Sequence, residues 1–127
     1  MTTTPTAPTD ADLLETASSL VGEAVRDQLW LLPLDEAGVP VPVVIPIEGV
    51  PFDPDAMPRL AAAVHEMARG SDWAALVTVW ERPGPPRLSR REAATVAAFA
   101  GALELPVRAA FLSSDDGVRR LPAPSTG

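Results

Sequence analysis

The chain has 127 residues, a net charge of −7 and no cysteine. Its length suits one domain, and the lack of cysteine excludes disulfides, thiolate metal sites and thiol nucleophiles within it. The negative charge argues against general affinity for nucleic acid, because neutralisation of phosphates supplies most non-specific binding.

The amino-terminal segment predicts a tail followed by a helix. Residues 1–8 consist of Met, Thr, Pro and Ala, which bury too little apolar surface to become ordered and lack the basic and apolar regions of a signal peptide. Thr9 or Asp10 can cap a helix whose apolar positions recur every three or four residues from Leu13 to Val25. We expect this helix to run to about Arg26.

A β-hairpin is predicted next. Gln28–Leu34 is a short apolar run, Asp35–Gly38 has turn residues, and Val39–Ile47 is rich in β-branched residues. Three prolines of the second arm share one parity: Pro40, Pro42 and Pro46. Because proline has no N–H to donate, we expect this arm to be an edge strand whose open side is protected against pairing with another chain. A polyproline segment offered to a partner conflicts with its content of Val and Ile.

The second half of the chain predicts two more helices, each followed by a strand. Pro58 suits the start of the second helix and Gly70 its end. Its buried stripe would contain Leu60, Ala61, Val64, Met67 and Ala68. Trp73–Trp80 is almost continuously apolar, which is typical of a central strand covered on both faces.

The third helix has a clear start. Ser89 and Glu92 form a capping box, and Pro106 lies just beyond its end. The predicted buried stripe contains Ala93, Val96, Ala97, Ala100 and Leu103. Val107–Ser113 is the next strand, and a turn at 115–117 leads to a short last strand, Val118–Leu121.

This order of elements, α-β-β-α-β-α-β with a short final β, predicts a layered α/β domain over residues 9–121, a mixed sheet of four to five strands with helices packed on it. Residues 122–127 are expected to form a loose tail. The longest apolar runs are far shorter than the roughly 20 residues of a membrane span, so we expect no membrane segment and a cytoplasmic location. Residues 1–56 carry a net charge of −9 (ten acids, one Arg), and residues 57–127 carry +2 (seven acids, nine Arg).

Residues able to carry catalysis are scarce. His65 is the only histidine, and its place at the margin of a buried stripe favours a surface role. Without a second His or any Cys, the ordinary zinc sites cannot be assembled. Two acid pairs fit turn and cap positions: Asp53 with Asp55, and Asp115 with Asp116. We therefore expect no catalytic residue, no metal and no cofactor.

The best candidate contact site lies where the central strand gives way to the third helix. It comprises Trp80, Glu81, Arg82, Arg87, Arg90, Arg91 and Glu92. Guanidinium groups and helix-start amides both favour negative ligands, so the four arginines could bind an anion or a nucleic acid. The two glutamates would partly neutralise the cluster, and a solvated charged face is the simpler interpretation.

The order of elements and the segment WERPGPPRLSRRE, residues 80–92, resemble the JAB/MPN domain, particularly its RadC-like bacterial branch. In that family a strand runs into His-x-His-Pro, a short loop, a Ser and, three residues later, an Asp. The two His and the Asp bind zinc, and an upstream Glu activates the metal-bound water to cut an isopeptide or peptide bond. Here Pro83 and Ser89 match, Trp80 and Arg82 stand in place of the histidines, and Glu92 stands in place of the Asp.

The resemblance implies the fold without the activity, because Trp and Arg do not ligate zinc. Glu48 could occupy the general position of the upstream Glu, but without a metal it has no water to activate. Our hypothesis is a non-catalytic cytoplasmic α/β domain that acts as a protein-interaction or scaffolding module, with another protein or a second copy as partner. The alternative is anion or nucleic-acid binding through the arginines of residues 80–92.

Overall fold

Three helices and five strands alternate along residues 7–122, the part of the chain that this computed structural model describes. The helices are α1 (Asp10–Leu20), α2 (Met57–Ala68) and α3 (Arg90–Ala102), and a short 3₁₀ turn, Pro54–Ala56, precedes α2. The strands are β1 (Gln28–Leu34), β2 (Ile45–Glu48), β3 (Ala75–Glu81), β4 (Val107–Ser114) and β5 (Gly117–Arg120). The predicted α/β class and order of elements are confirmed. The tails predicted at 1–8 and 122–127 lie mostly outside the described residues.

The strands form one open mixed sheet in the order β2-β1-β3-β4-β5. The neighbours β3 and β4 are parallel, and the other three pairs are antiparallel. β3 is the central strand, and every residue from Leu76 to Glu81 is buried, as expected for a strand covered on both faces. Within residues 7–122, no helix has the length and apolar character needed to cross a membrane.

Helices cover both faces of the sheet, and alternate residues of each strand serve opposite faces. On one face, Leu13 and Ala17 of α1 pack against Val77, Val79 and Phe111. We call this the α1 face. On the other, α2 and α3 pack over a larger cluster that includes Leu29, Leu31, Leu76, Trp80, Phe99 and Leu112. We call this the α2–α3 face.

The proline-rich arm is an edge strand, as predicted, but its ladder starts later than expected. β2 begins at Ile45 rather than at Val39. Pro40 forms only an isolated bridge with Leu34, and the N–H of Val43 donates to the carbonyl of Val41 at 2.7 Å. This tight turn takes the chain off the ladder until Ile45.

α1 ends at Leu20, and the prediction that it continues to about Arg26 is wrong. Gly22 has a φ of +65°, a conformation that glycine adopts easily and that ends a helix. The next N–H groups then bond to the sheet instead of to the helix: that of Ala24 donates to the carbonyl of Ser114 at 3.0 Å. Val25, predicted to be buried, is 73% exposed.

The helices α2 and α3 start as predicted but differ in which side is buried. In α2, the fully buried Met57 aligns with Ala61 and Val64, so Met67 falls outside the buried stripe and is 41% exposed. In α3, the buried residues are Thr95 and Phe99, whereas Ala93 and Ala97 are exposed. α3 carries alanines on most of its sides, so periodicity alone identifies its buried side poorly, and the large Phe99 ring occupies the core.

Candidate functional site

The seven residues predicted as a contact site do not form one cluster. Trp80 and Glu81 are consecutive in β3, so their side chains point to opposite faces of the sheet, and both residues are only 1% exposed. Arg82 and Glu92 meet in an ion pair between the end of β3 and the start of α3. The other three arginines are exposed: Arg87, Arg90 and Arg91.

The ion pair is a two-pronged contact in a largely buried setting. Arg82 Nε donates to Glu92 Oε2 at 2.6 Å, and Nη2 donates to Oε1 at 3.2 Å. The two side chains are 7% and 18% exposed. This paired geometry is the strongest form of carboxylate recognition by arginine.

Arg82 also holds the loop between β3 and α3 from inside. Its Nη1 donates to the carbonyl of Pro85 at 2.6 Å, and its Nη2 donates to that of Arg87 at 2.8 Å. The loop closes around the guanidinium at Gly84, which has a φ of +132°; a Cβ there would lie 3.2 Å from Nη1. Most donors of this guanidinium are therefore used within the chain.

Glu92 has two tasks in the same place. The hydrogen bond from Arg82 lowers the pKa of Glu92 and outweighs the opposing effect of burial, and the backbone N–H of Ser89 lowers it further. That N–H donates to Glu92 Oε1 at 2.7 Å, while the N–H of Glu92 donates to Ser89 Oγ at 3.1 Å. The predicted capping box is thus confirmed, and the carboxylate is fixed as an anion.

Glu81 is buried on the α1 face and forms no ion pair within residues 7–122. Its Oε1 accepts from Gln28 Nε2 at 2.6 Å and from Trp30 Nε1 at 2.9 Å, and its Oε2 accepts from the N–H groups of Val25 and Arg26 at 2.8 and 3.3 Å. Burial raises the pKa of Glu81, but these four hydrogen bonds together hold it below its ordinary value. The carboxylate therefore anchors the α1–β1 connection to the central strand.

Trp80 belongs to the core of the α2–α3 face. Its ring lies 5.7 Å from that of Phe52 and 5.6 Å, edge-on, from that of Phe99. Its buried Nε1 has no acceptor among residues 7–122. An unpaired buried donor costs about 1–3 kcal/mol, so this position is not optimised for stability.

The exposed arginines differ in their contacts. Arg91 donates through Nε to the carbonyl of Phe52 at 3.0 Å and lies 3.3 Å from Asp53. Arg87 and Arg90 form no ion pair within the described part of the chain. The prediction of an anion site therefore depends on these two alone, and it stays a prediction.

The remaining candidates have structural contacts. His65 Nε2 accepts from the N–H of Glu104 at 2.9 Å, joining α2 to the segment before β4. Asp53 Oδ1 accepts from the N–H of Asp55 at 3.0 Å, and 115–116 form the turn before β5. Among residues 7–122, no group of three or more His, Cys, Asp or Glu side chains is placed to hold a metal ion.

Sequence reasoning missed the anchoring role of two acidic residues. One is Glu81, for which a single acid at the end of an apolar strand was the only available signal. The other is Asp10, which bonds to Arg108 at 2.7 Å and also to Arg120, tying α1 to β4 and β5. These partners lie about a hundred positions apart in the sequence, and no local pattern links them.

Comparison with known proteins adds no family to this description. No protein-family model matches the chain, and no curated protein matches it. Its contacts and their chemistry are therefore the basis on which we assign a function.

Proposed function

We propose that this chain is a non-catalytic, cytoplasmic protein-interaction module, a JAB/MPN-like domain in which an ion pair stands where the family holds zinc. The buried contact between Arg82 and Glu92 carries this proposal. In the pattern that residues 80–92 resemble, these two positions hold a metal-ligating His and Asp. A guanidinium stays protonated and has no lone pair to give to a metal. Glu92 is already bound by Arg82 and Ser89.

Serine chemistry at the same end of the sheet is disfavoured by the contacts of the serines. Ser113 Oγ donates to the carbonyl of Gly22 at 2.6 Å, and Ser89 Oγ caps α3. A nucleophilic serine needs a base within hydrogen-bond reach, and neither hydroxyl has a His or carboxylate as its acceptor. The residues that close this end of the sheet therefore support structure rather than turnover.

The surface that we assign to a protein partner lies along the edge strand β2 and the segment before it. The exposed residues of this Pro–Val ridge are Pro40, Pro42, Val43, Val44 and Pro46. Proline fixes the backbone before binding, which lowers the entropy that a partner must overcome. Because the prolines also limit strand addition, the contact is made through side chains.

Charge favours a partner other than a second copy. The ridge is flanked by Glu36 and Glu48; among residues 7–122, Glu48 lies 3.4 Å from the exposed Arg26, and Glu36 forms no ion pair. Residues 1–56 as a whole carry a net charge of −9. Two such ridges would repel each other, whereas an apolar groove rimmed by basic residues would complement one of them.

The ridge can be tested with a matched pair of variants. Val44 and Met67 are similarly exposed, at 44% and 41%, and lie on different elements. A photo-crosslinker at position 44 should capture a partner in cells, and the purified partner should then bind Val44→Lys about tenfold more weakly than the unmodified chain. Met67→Lys should bind normally. Equal binding by Val44→Lys, or crosslinks only between two copies of this chain, would contradict the proposal.

The non-catalytic part has a separate test. The purified chain is equilibrated with zinc and dialysed, and the bound metal is measured by mass spectrometry. We expect no stoichiometric zinc, and we expect no increase when Glu92 is replaced by Asp, the residue found in the family pattern. Tight zinc at one ion per chain would overturn this part of the proposal.

A further inference from the structure

An apolar cavity of about 440 Å³ opens between α3 and the β3–β5 half of the sheet, on the α2–α3 face. Its wall includes Ala93, Ala97 and Ala100 of α3, Ala110 of β4, and Leu121 just after β5. Small-molecule sites in proteins usually enclose roughly 300–1,000 Å³. The cavity is therefore large enough for a ligand, and none of its lining residues belongs to the Pro–Val ridge.

The cavity exists because α3 places small side chains over the sheet. The spacing of three and four residues puts these alanines on one side of the helix. That is the side whose periodicity predicts burial, yet Ala93 and Ala97 remain exposed. Nothing else among residues 7–122 covers this side, so an apolar ligand would gain the burial that the helix lacks.

The central strand β3 contributes polar side-chain groups to the floor of the cavity. Thr78 and Trp80 of β3 line it, and each is only 1% exposed. The indole N–H of Trp80 has no acceptor within the described residues, but its nitrogen is enclosed in the core. Thr78, in the cavity wall, takes part in no side-chain hydrogen bond within those residues. The Thr78 hydroxyl is therefore the donor that a ligand in the cavity can reach, which favours a ligand that carries an oxygen atom along its apolar body.

Two exposed arginines lie on the cavity side. Arg90 precedes Ala93 and Ala97 by three and seven residues and so shares their side of α3. Arg119 pairs with Leu112, which faces α3, and it lies two residues before Leu121. Neither arginine forms an ion pair within residues 7–122, whereas their neighbours Arg91 and Arg120 do. An anionic group near the cavity would find uncompensated positive charge.

We propose that this cavity binds an oxygen-substituted fatty acid, an oxo or hydroxy acid whose chain packs on the alanines of α3. Its carboxylate lies near Arg90 and Arg119, and its chain oxygen accepts a hydrogen bond from Thr78. The depth of Thr78 and Trp80 favours a narrow aliphatic chain over a protein helix. This inference is independent of the proposed function, because the ridge variant Val44→Lys should bind the acid normally.

Calorimetry with dodecanoate and its oxo-substituted forms, below their micellar concentrations, tests the site. We expect one acid per chain, with a preferred ketone position that binds about tenfold more tightly than dodecanoate. Thr78→Val should abolish that preference. Ala97→Phe should abolish binding, while Ala94→Phe, exposed on the same helix but outside the cavity wall, should not affect it.

The charged end has its own controls. Exchanging both Arg90 and Arg119 for Glu should weaken the acid about tenfold or more, whereas Arg87→Glu should leave its affinity unchanged. Dodecyltrimethylammonium, with the same chain and a positive head, should not bind. No saturable binding of any acid, equal effects of Ala97→Phe and Ala94→Phe, or no ketone preference would overturn the assignment. So would binding seen only when the chain ends at Pro122, since residues 123–127 would then be the occupant.

Discussion

The two faces of the sheet differ in how they treat their buried polar groups. Glu81 and Trp80 are consecutive in β3 and equally buried. On the α1 face, the Glu81 carboxylate receives four hydrogen bonds. On the α2–α3 face, the Trp80 indole N–H donates to no acceptor among the described residues. Two consecutive residues thus differ completely: the hydrogen-bonding capacity of one buried side chain is used, and that of the other is not.

The α1 face is also the more tightly packed of the two. α1 lies directly on β4 and β5. Its residues Leu13 and Ala17 are only 3% and 0% exposed. α3 leaves the cavity over the same half of the sheet. Natural chains retain such imperfect regions where function needs them, at some loss of stability. The comparison suggests that the α1 face stabilises the domain and that the α2–α3 face retains space for binding.

The largest effect should come from Glu81→Ala. It leaves the side-chain donors of Gln28 and Trp30 and two backbone N–H groups without an acceptor. At about 1–3 kcal/mol for each unpaired buried donor, and allowing for water at the more exposed ones, we expect a loss of about 3 kcal/mol in the free energy of unfolding. Urea denaturation measures it. A loss below about 1 kcal/mol would mean that the network contributes little to the α1 face.

The Glu81 carboxylate should also make the stability of the domain depend on pH in the acidic range. Because the pKa of Glu81 is lowered in the folded state, its contribution is complete above the unfolded pKa and disappears as pH falls through the folded one. Glu81→Gln should therefore lose less stability than the unmodified chain on going from about pH 7 to about pH 3. Parallel curves for the two proteins would contradict a depressed pKa at this position.

A smaller loss is expected at the end of the α2–α3 face, from Arg82→Lys. Lysine keeps the charge but cannot hold Glu92 and two loop carbonyls at once. We expect about 2 kcal/mol of destabilisation and faster proteolysis between Pro83 and Leu88. Arg90→Lys, the control, should change stability by less than about 0.5 kcal/mol. Equal behaviour of the two variants would show that the loop does not depend on this ion pair.

The parts of this comparison that could be predicted from sequence are those with a local cause. The capping box of Ser89 and Glu92 needs residues three apart, and the edge position of β2 follows from the parity of its prolines. The bonds of Glu81 to Val25 and Trp30 span more than fifty residues. They depend on the register of β1 against β3, which no local pattern specifies.

The candidate site was predictable to a similar extent. The resemblance of residues 80–92 to a metal-binding pattern placed Arg82 and Glu92 in one site, and the structure joins them. It did not separate Trp80 from Glu81, because the strand was predicted to end at Trp80, whereas β3 continues to Glu81 and the two side chains point to opposite faces. The cavity was hidden for a related reason: periodicity marked Ala93 and Ala97 as core, but only tertiary packing decides whether anything covers them.

The difference in packing can be tested by adding volume to the tighter face. Ala17→Leu places three extra carbons where the alanine is fully buried against the sheet. Overpacked cores typically lose 1–3 kcal/mol, so we expect a loss of about 2 kcal/mol in thermal or urea unfolding. Ala11→Leu, exposed on the same helix, should be nearly neutral. If Ala17→Leu is also neutral, the α1 face is less tightly packed than its burial indicates.

The smallest effect, and the one opposite in sign, should come from the same exchange on the other face. Ala100 lines the cavity and is only half-buried, so a leucine there can extend into existing space instead of displacing its neighbours. Ala and Leu both favour helices, and the added apolar contact should raise the free energy of unfolding by about 0.5 kcal/mol. The variant should also lose affinity for the oxo acids, because the leucine occupies their volume. A loss of stability comparable to that of Ala17→Leu would show that the cavity closes in solution, and the contrast between the two faces would then disappear.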